Sequence, residues 1–234
     1  MEVKTIKIYF VILPKEIPKD ILYKKVSILD INERKIFERY RTKDKKIEFL
    51  TGRILAKNMI SKEFNTSNRK ISFYKNSFGK LFVERDCIPR GKPPIYFNLS
   101  HSNGIVTCAI SSNLHIGIDV ENIKQDYLDI MEQIYLPKEI EFVNNGMNKN
   151  DKLRRFYLIW TLKESLTKAL GLGLSLSLKS FKVPLDFNGG KYMNFVFKTF
   201  IVNDYIISVA VLYKKGVFYK FTLKKLSWKK LFCT

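Results

Sequence analysis

Acidic residues are scarce in this chain of 234 residues. Asp and Glu number 22 against 42 Lys and Arg, which leaves a formal charge of +20 and a pI near 9.8. Cysteine is scarcer still: Cys87, Cys108 and Cys233 are odd in number, far apart and without zinc spacing. That excludes a disulfide framework and fits a reduced, cytoplasmic protein. Long apolar runs are missing, since no uncharged stretch reaches the ~18 residues that cross a bilayer. The run Ile6 to Leu13 is short, contains Lys7 and meets Pro14 and Lys15, so it reads as a strand and not as a signal peptide. No low-complexity linker divides the chain.

Apolar residues make up 46% of the sequence and aromatics 14%, enough for a packed core. The positive charge calls for an anionic partner: nucleic acid, a phosphorylated cofactor, an acidic protein or a membrane surface. A lysine-rich but functionally neutral surface competes with all of these. Lys214, Lys215, Lys220, Lys224, Lys225, Lys229 and Lys230 crowd the last 21 residues, read here as a solvated strand and terminus.

An internal echo at 110 residues organises the chain. The alternation Ile6-Lys7-Ile8-Tyr9-Phe10 returns as Ile116-Gly117-Ile118-Asp119-Val120. A long helix predicted over Asp44 to Glu63 has its counterpart over Lys152 to Leu170. Strand candidates Ile71 to Tyr74 and Tyr96-Phe97 correspond, at the same offset, to Phe181 to Val183 and Tyr205 to Val209. Four such matches in order imply an α+β fold of two pseudo-symmetric halves, residues 1–112 and 113–234, with a cleft between them. Asp30 with Glu33, and Pro137 with Glu139, mark two shorter helix starts.

Four segments carry chemistry. In a strand over Ile116 to Glu121, the isoleucines and Val120 face the core while Gly117, Asp119 and Glu121 face the other way. Two neighbouring carboxylates either meet water and lysines at a solvent edge or share a cation such as Mg²⁺. On the second long helix, Glu164 and Lys168 lie at i, i+4, as a surface ion pair or as an acid and an ammonium beside a phosphate; Trp160 reads as core. The strand end Asn98-Leu99-Ser100-His101-Ser102 gathers small donors round one of only two histidines, as a capped loop or a phosphate seat. His115 has no such company. Asn76-Ser77-Phe78-Gly79-Lys80 is a turn that can offer N–H groups and one ammonium to an anion, but it is not a P-loop.

Together and in this order the segments resemble the 4′-phosphopantetheinyl transferases of the surfactin-synthetase type. The resemblance rests on Phe78-Gly79-Lys80, Phe97-Asn98-Leu99-Ser100-His101-Ser102, Gly117-x-Asp119-x-Glu121 and Trp160-x-x-Lys163-Glu164-x-x-x-Lys168, extended by Gly171 to Leu176. It implies transfer of the phosphopantetheine arm of coenzyme A to a serine of an apo carrier protein, with release of adenosine 3′,5′-bisphosphate. By the same resemblance Asp119, Glu121 and Glu164 would hold Mg²⁺, Lys168 would contact the pyrophosphate, and Glu164, directly or through a metal-bound water, would take the serine proton. Ser100 and His101 would bind coenzyme A phosphates, and Lys80 with the backbone at Gly79 would seat the nucleotide. The chain departs from the family at Glu48, where many relatives carry arginine; Lys35, Arg39, Lys43, Lys45 and Lys46 are then the cations left for the 3′-phosphate. The resemblance also implies a monomer with an acidic carrier as partner and no membrane or specific nucleic acid. The stretch Lys124 to Ile134, with Lys124, Tyr127, Met131 and Ile134 at near-helical spacing, is proposed as part of the carrier surface. A Mg²⁺-dependent nuclease is the rival enzyme, although Lys163 precedes Glu164 where that chemistry usually has the reverse order. A non-catalytic basic nucleic-acid binder is the other rival, with no binding motif to support it.

Overall fold

Alternating and helical periodicities produce the elements in the expected places. A computed structural model describes residues 2–233 and all their side chains but that of Leu174. In order the elements are β1 (Glu2–Ile12), α1 (Lys19–Lys25), α2 (Ile31–Arg39), α3 (Lys43–Phe64), β2 (Phe73–Lys75), β3 (Leu81–Val83), β4 (Ile95–Ser102), β5 (Ile105–Ser112) and β6 (Ile116–Asn122). There follow α4 (Met131–Ile134), α5 (Pro137–Asn144), α6 (Lys149–Leu170), β7 (Gly190–Tyr192), β8 (Phe195–Val202), β9 (Tyr205–Leu212), β10 (Val217–Lys225) and α7 (Trp228–Phe232). None of the described helices is long and apolar enough to cross a membrane.

The architecture is α+β, with two four-stranded sheets ordered β10-β1-β5-β4 and β6-β9-β8-β7. The series β1-β5-β4 and β6-β9-β8 match strand for strand. The echo is real but its spacing is not constant: Ile6 to Ile116, Lys43 to Lys149 and Ile95 to Phe195 are 110, 106 and 100 residues apart. A fixed offset of 110 therefore pairs Tyr96 of β4 with β9, whereas its counterpart by topology is β8. Phe181 to Val183, expected as a strand, is not one.

Each long helix covers one face of its sheet. Leu50, Ile54 and Met59 of α3 pack on Val106, Cys108 and Ile110 of β5, while Leu158, Leu162 and Leu166 of α6 pack over Phe197, Ile206 and Ala210. A third cluster joins the remaining faces, with Ile6, Ile8, Ile105 and Ala109 from one sheet against Ile116, Ile118, Val120, Ile207 and Val209 from the other. The expected facing of β6 is thus correct. Its far face meets α6 and not solvent. A Cβ on Gly117 would lie 2.0 Å from the Ser165 carbonyl oxygen, so glycine is what lets α6 lie on the strand.

The two halves repeat one buried device. In α2, Asp30 accepts from Glu33 N, and Glu33 Oε2 accepts from Asp30 N. In α5, Glu139 Oε2 accepts from Leu136 N behind Pro137. The other oxygen of each glutamate faces a cation of the long helix: Glu33 Oε1 to Arg53 Nε at 2.9 Å, Glu139 Oε1 to Lys163 Nζ at 3.0 Å. Lys163 also donates to the carbonyls of Leu178 and Phe181, tying down the chain beyond α6.

One expectation holds and one changes. The lysine-rich tail is a solvated strand with its lysines exposed, and its place is now fixed: β10 runs parallel to β1, from Glu2 opposite Val217 to Phe10 opposite Lys225, and completes the first sheet. Lys124 to Ile134 is broken into a turn, a 3₁₀ turn and the single helical turn of α4, because Asp126 caps the Leu128 N–H.

Removing one member of a buried ion pair strands the other charge. Lys163→Met should lower unfolding free energy by about 3–5 kcal/mol, read from urea midpoints. The double variant Lys163→Met/Glu139→Leu should regain much of the loss. Equal stability of Lys163→Met and the parent would show that the pair does not hold the half together.

Candidate active site

The first sheet ends in β4 and the second begins in β6, and these two edges meet. Backbone pairing does not join them; side chains do. Asn98, Ser100 and Ser102 share one face of β4 by strand alternation. Asn98 Oδ1 accepts from Ile118 N at 3.1 Å, and Ser100 Oγ accepts from Val120 N at 3.3 Å. The same side chains reach the acids. Ser100 Oγ donates to Asp119 Oδ1 at 2.9 Å, and Ser102 Oγ donates to Glu121 Oε2 at 2.7 Å.

From the other side α6 brings Glu164 and Lys168. Lys168 Nζ donates to Asp119 Oδ1 at 2.6 Å and to Ser100 Oγ at 3.1 Å. Ser100 Oγ thereby uses its one proton and both lone pairs. Burial, and next the charge of Asp119, raise the pKa values of both Glu121 and Glu164; Lys168 opposes this at each, as do Ser102 and Trp160 at Glu121. Asp119 Oδ2 and Glu164 Oε1 are buried without a hydrogen-bond partner. A buried unsatisfied carboxylate oxygen costs roughly 1–3 kcal/mol or more.

Three acids, one ammonium and two unanswered oxygens suit a hard divalent cation with oxygen ligands. Among the described residues no three His, Cys, Asp or Glu side chains already stand as a ready-made metal group. The Lys168 ammonium holds Asp119 Oδ1 instead.

His101 points the opposite way from Ser100, as alternation requires. Its Nδ1 lies 3.2 Å from Glu48 Oε2, which also takes Lys45 Nζ at 2.9 Å. A cavity of about 560 Å³ opens beside this pair, lined in part by Lys15, Thr42, Lys45, Glu48, Asn103 and Gly104. Burial alone would raise the Glu48 pKa, but hydrogen bonds from His101 and Lys45 outweigh it and bring it to about 2.

The turn at Lys80 is tied to the second half of the chain. Asn76 Oδ1 takes the N–H groups of Phe78 and Lys80, and Asn76 O takes that of Gly79. Lys80 Nζ is buried and donates to the carbonyls of Ile116, Lys168 and Ala169. Burial lowers its pKa to about 8, so the three protons are present at neutral pH. The ammonium of Lys80 and the N–H groups of Phe78, Gly79 and Lys80 are thereby taken. Phe78, Gly79 and Lys80 instead wall a cavity of about 230 Å³ with Phe97, Asn98, Lys168 and Gly171.

Trp160, expected in the core, is half-buried beside Glu121. With Gln125, Tyr127, Ile130, Phe156 and Tyr157 it lines a further cavity of about 300 Å³. Asn98 and Ser102 also went unassigned in the sequence, although the period-two set Asn98-x-Ser100-x-Ser102 mirrors Gly117-x-Asp119-x-Glu121.

Residues 115–210 match the model of the 4′-phosphopantetheinyl transferase superfamily, and residues 18–113 match that of 4′-phosphopantetheinyl transferase, N-terminal. The chain is 33% identical over 176 residues to 4′-phosphopantetheinyl transferase gsp of Aneurinibacillus migulanus, covering 75% of this chain and 70% of that one. It is 31% identical over 183 residues to 4′-phosphopantetheinyl transferase Sfp of Bacillus subtilis (strain 168), covering 78% of each. Similarity extends to the human L-aminoadipate-semialdehyde dehydrogenase-phosphopantetheinyl transferase, 26% identical over 144 residues, which are 58% of this chain and 46% of that protein.

The Glu48 shift has a sign that can be checked. Its folded pKa lies below the ordinary 4.5, so its stabilisation is complete above about 4.5 and is lost as pH falls toward 2. Glu48→Gln should be the less stable protein at pH 7 and should lose less stability than the parent between pH 5 and 3, measured by denaturant midpoints. Parallel acid profiles would contradict the assignment.

Proposed function

The chain belongs to the 4′-phosphopantetheinyl transferase superfamily, and from that premise we propose that it transfers the phosphopantetheine arm of coenzyme A to a serine of an apo carrier protein. The observation that carries the mechanism is the group of three acids and one lysine between β6 and α6, with Asp119 Oδ2 and Glu164 Oε1 buried and unpaired. Asp119, Glu121 and Glu164 would hold Mg²⁺, which when bound supplies positive charge to the pyrophosphate of coenzyme A.

The remaining steps fall to the chain's own groups. Ser100 orients Asp119, and Ser102 orients Glu121. Lys168, on the last turn of α6, supplies a positive charge to the phosphates as charge develops on the leaving bisphosphate. Glu164, one helical turn before Lys168 on α6, takes the proton of the attacking serine. A bond forms from the serine oxygen to the β-phosphorus. The bond from that phosphorus to the bridging oxygen breaks, and adenosine 3′,5′-bisphosphate leaves.

Lys45 lines the cavity of about 560 Å³ and His101 meets it through Glu48; these are the side chains offered to the 3′-phosphate there. The wall at Gly79 receives the flat nucleoside base. The aromatic cavity at Trp160 suits the uncharged pantetheine arm, because it adjoins Glu121 and is apolar on most sides. We take residues 1–112 and 113–234 as the two halves, with β10 crossing back to the first, and the protein as a cytoplasmic monomer. Part of the +20 charge steers an acidic carrier.

Purified protein incubated with coenzyme A, Mg²⁺ and an apo carrier should add the arm to the carrier serine, read by intact-protein mass spectrometry. A folded protein that binds coenzyme A yet modifies no carrier would overturn the substrate assignment. Glu164→Gln should lower kcat by about 10²–10⁴-fold with an unchanged circular dichroism spectrum. Full turnover by that variant would remove Glu164 from the reaction.

A further inference from the structure

Lys80 stands in the first half of the chain but spends its whole ammonium on the second. The residue is 8% exposed. Its ammonium donates to Ile116 O at 3.1 Å, Lys168 O at 2.7 Å and Ala169 O at 2.7 Å. An ammonium has three donors, so all are accounted for. The acceptors belong to the two elements that carry the acids. Ile116 opens β6, three residues before Asp119. Lys168 and Ala169 lie in the last turn of α6, four and five residues after Glu164. The final carbonyls of a helix lack intrahelical partners and form the negative end of its dipole, so a buried cation there satisfies both needs.

A second tie lies beside the first. Asn76 Nδ2 donates to Gly171 O at 3.0 Å, while its Oδ1 holds the Phe78 and Lys80 N–H groups. Gly171 closes α6 at a φ of +74°, and a Cβ there would come within 2.9 Å of Lys80 Cδ. The stem of Lys80 therefore fills the space at the end of the helix.

We propose that Lys80 is a positioning residue for the transfer: its ammonium pins the last turn of α6 to the first residue of β6 and so sets Glu164 and Lys168 against Asp119, without itself touching coenzyme A. The proposal rests on the transferase reading above. Small displacements of reacting groups are expensive in rate, with a slip of about 1 Å worth about 10²-fold. The 2.6 Å contact from Lys168 to Asp119 spans the same two elements that Lys80 joins.

Limited acetylation of the folded wild-type protein, mapped by peptide mass spectrometry with and without coenzyme A, tests the clamp independently of turnover. Lys80 should stay unmodified in both samples while exposed lysines react. Modification of Lys80 in the free protein, whether or not coenzyme A then protects it, overturns the clamp. Lys80→Met keeps the stem and removes the charge. It should lower kcat by about 10²-fold and leave the KM for coenzyme A within about threefold. A raised KM with kcat intact would make Lys80 a coenzyme ligand and defeat the proposal. If Lys80→Met does not fold, Asn76→Ala decides, since it loosens the same joint and should lower kcat in the same sense; an unchanged kcat there counts against the proposal. A wild-type protein that shows protected Lys80 but transfers nothing to any carrier would sink the transferase reading and leave the clamp standing.

Discussion

Everything at the site depends on two sheet edges that meet without sharing a backbone ladder. An open strand edge exposes N–H and C=O groups that must be satisfied or shielded. The topology caps the outer edges with extra strands, β10 beside β1 and β7 beside β8. The inner edges, β4 and β6, are left to face each other. Asn98 and Ser100 answer the N–H groups of Ile118 and Val120, so side chains stand in for the missing rungs. Because these rungs are side chains, they have bonding capacity left over. Ser100 spends it on Asp119 and on Lys168 of α6. The seam that closes the fold is thus also what orients the acids. A slip of one residue in β6 would turn Asp119 and Glu121 into the apolar layer of Ile118 and Val120, and the register is strongly specified for that reason.

Much of this was legible in the sequence because it is local. Helix periodicity and caps placed α3 and α6 within three residues of their ends, and the Asp30–Glu33 and Pro137–Glu139 starts fall where the observed α2 and α5 begin. Alternation in β6 gave the correct facing of Asp119 and Glu121. What lay beyond sequence was contact between distant segments. A fixed offset of 110 could not follow a repeat whose spacing shrinks to 100, so β4 was matched to the wrong strand. Lys80 beside a glycine looks like an anion turn until three carbonyls from residues 116, 168 and 169 are brought to it. Trp160 sits on an apolar helix face by periodicity, and only the approach of Glu121 distinguishes it from core. The tail Lys214 to Lys230 reads correctly as a solvated strand, but its place beside β1 is not local, because the parallel partner is more than 200 residues away.

The balance of buried charge separates scaffold from chemistry. Glu33 is answered by Arg53 and Lys57, at 2.9 and 2.7 Å. Glu139 is answered by Lys163 at 3.0 Å. Each of these acids has at least one cation, each also caps a helix, and each recurs in the other half as duplication of one plan would require. Between β6 and α6 the count is different. Asp119, Glu121 and Glu164 have Lys168 alone, and burial, with next the charge of Asp119, makes Glu121 and Glu164 hold their protons more tightly. A fold that supplies a cation to its other buried acids, Glu33, Glu48 and Glu139, leaves this one group short of positive charge, in a protein whose net charge is +20. Packing gives no reason for that shortage, since replacing one acid with an amide of the same shape would relieve it. A ligand that brings its own positive charge, with phosphates behind it, does give a reason. The imbalance is therefore a better guide to the site than the net charge, which first pointed to nucleic acid.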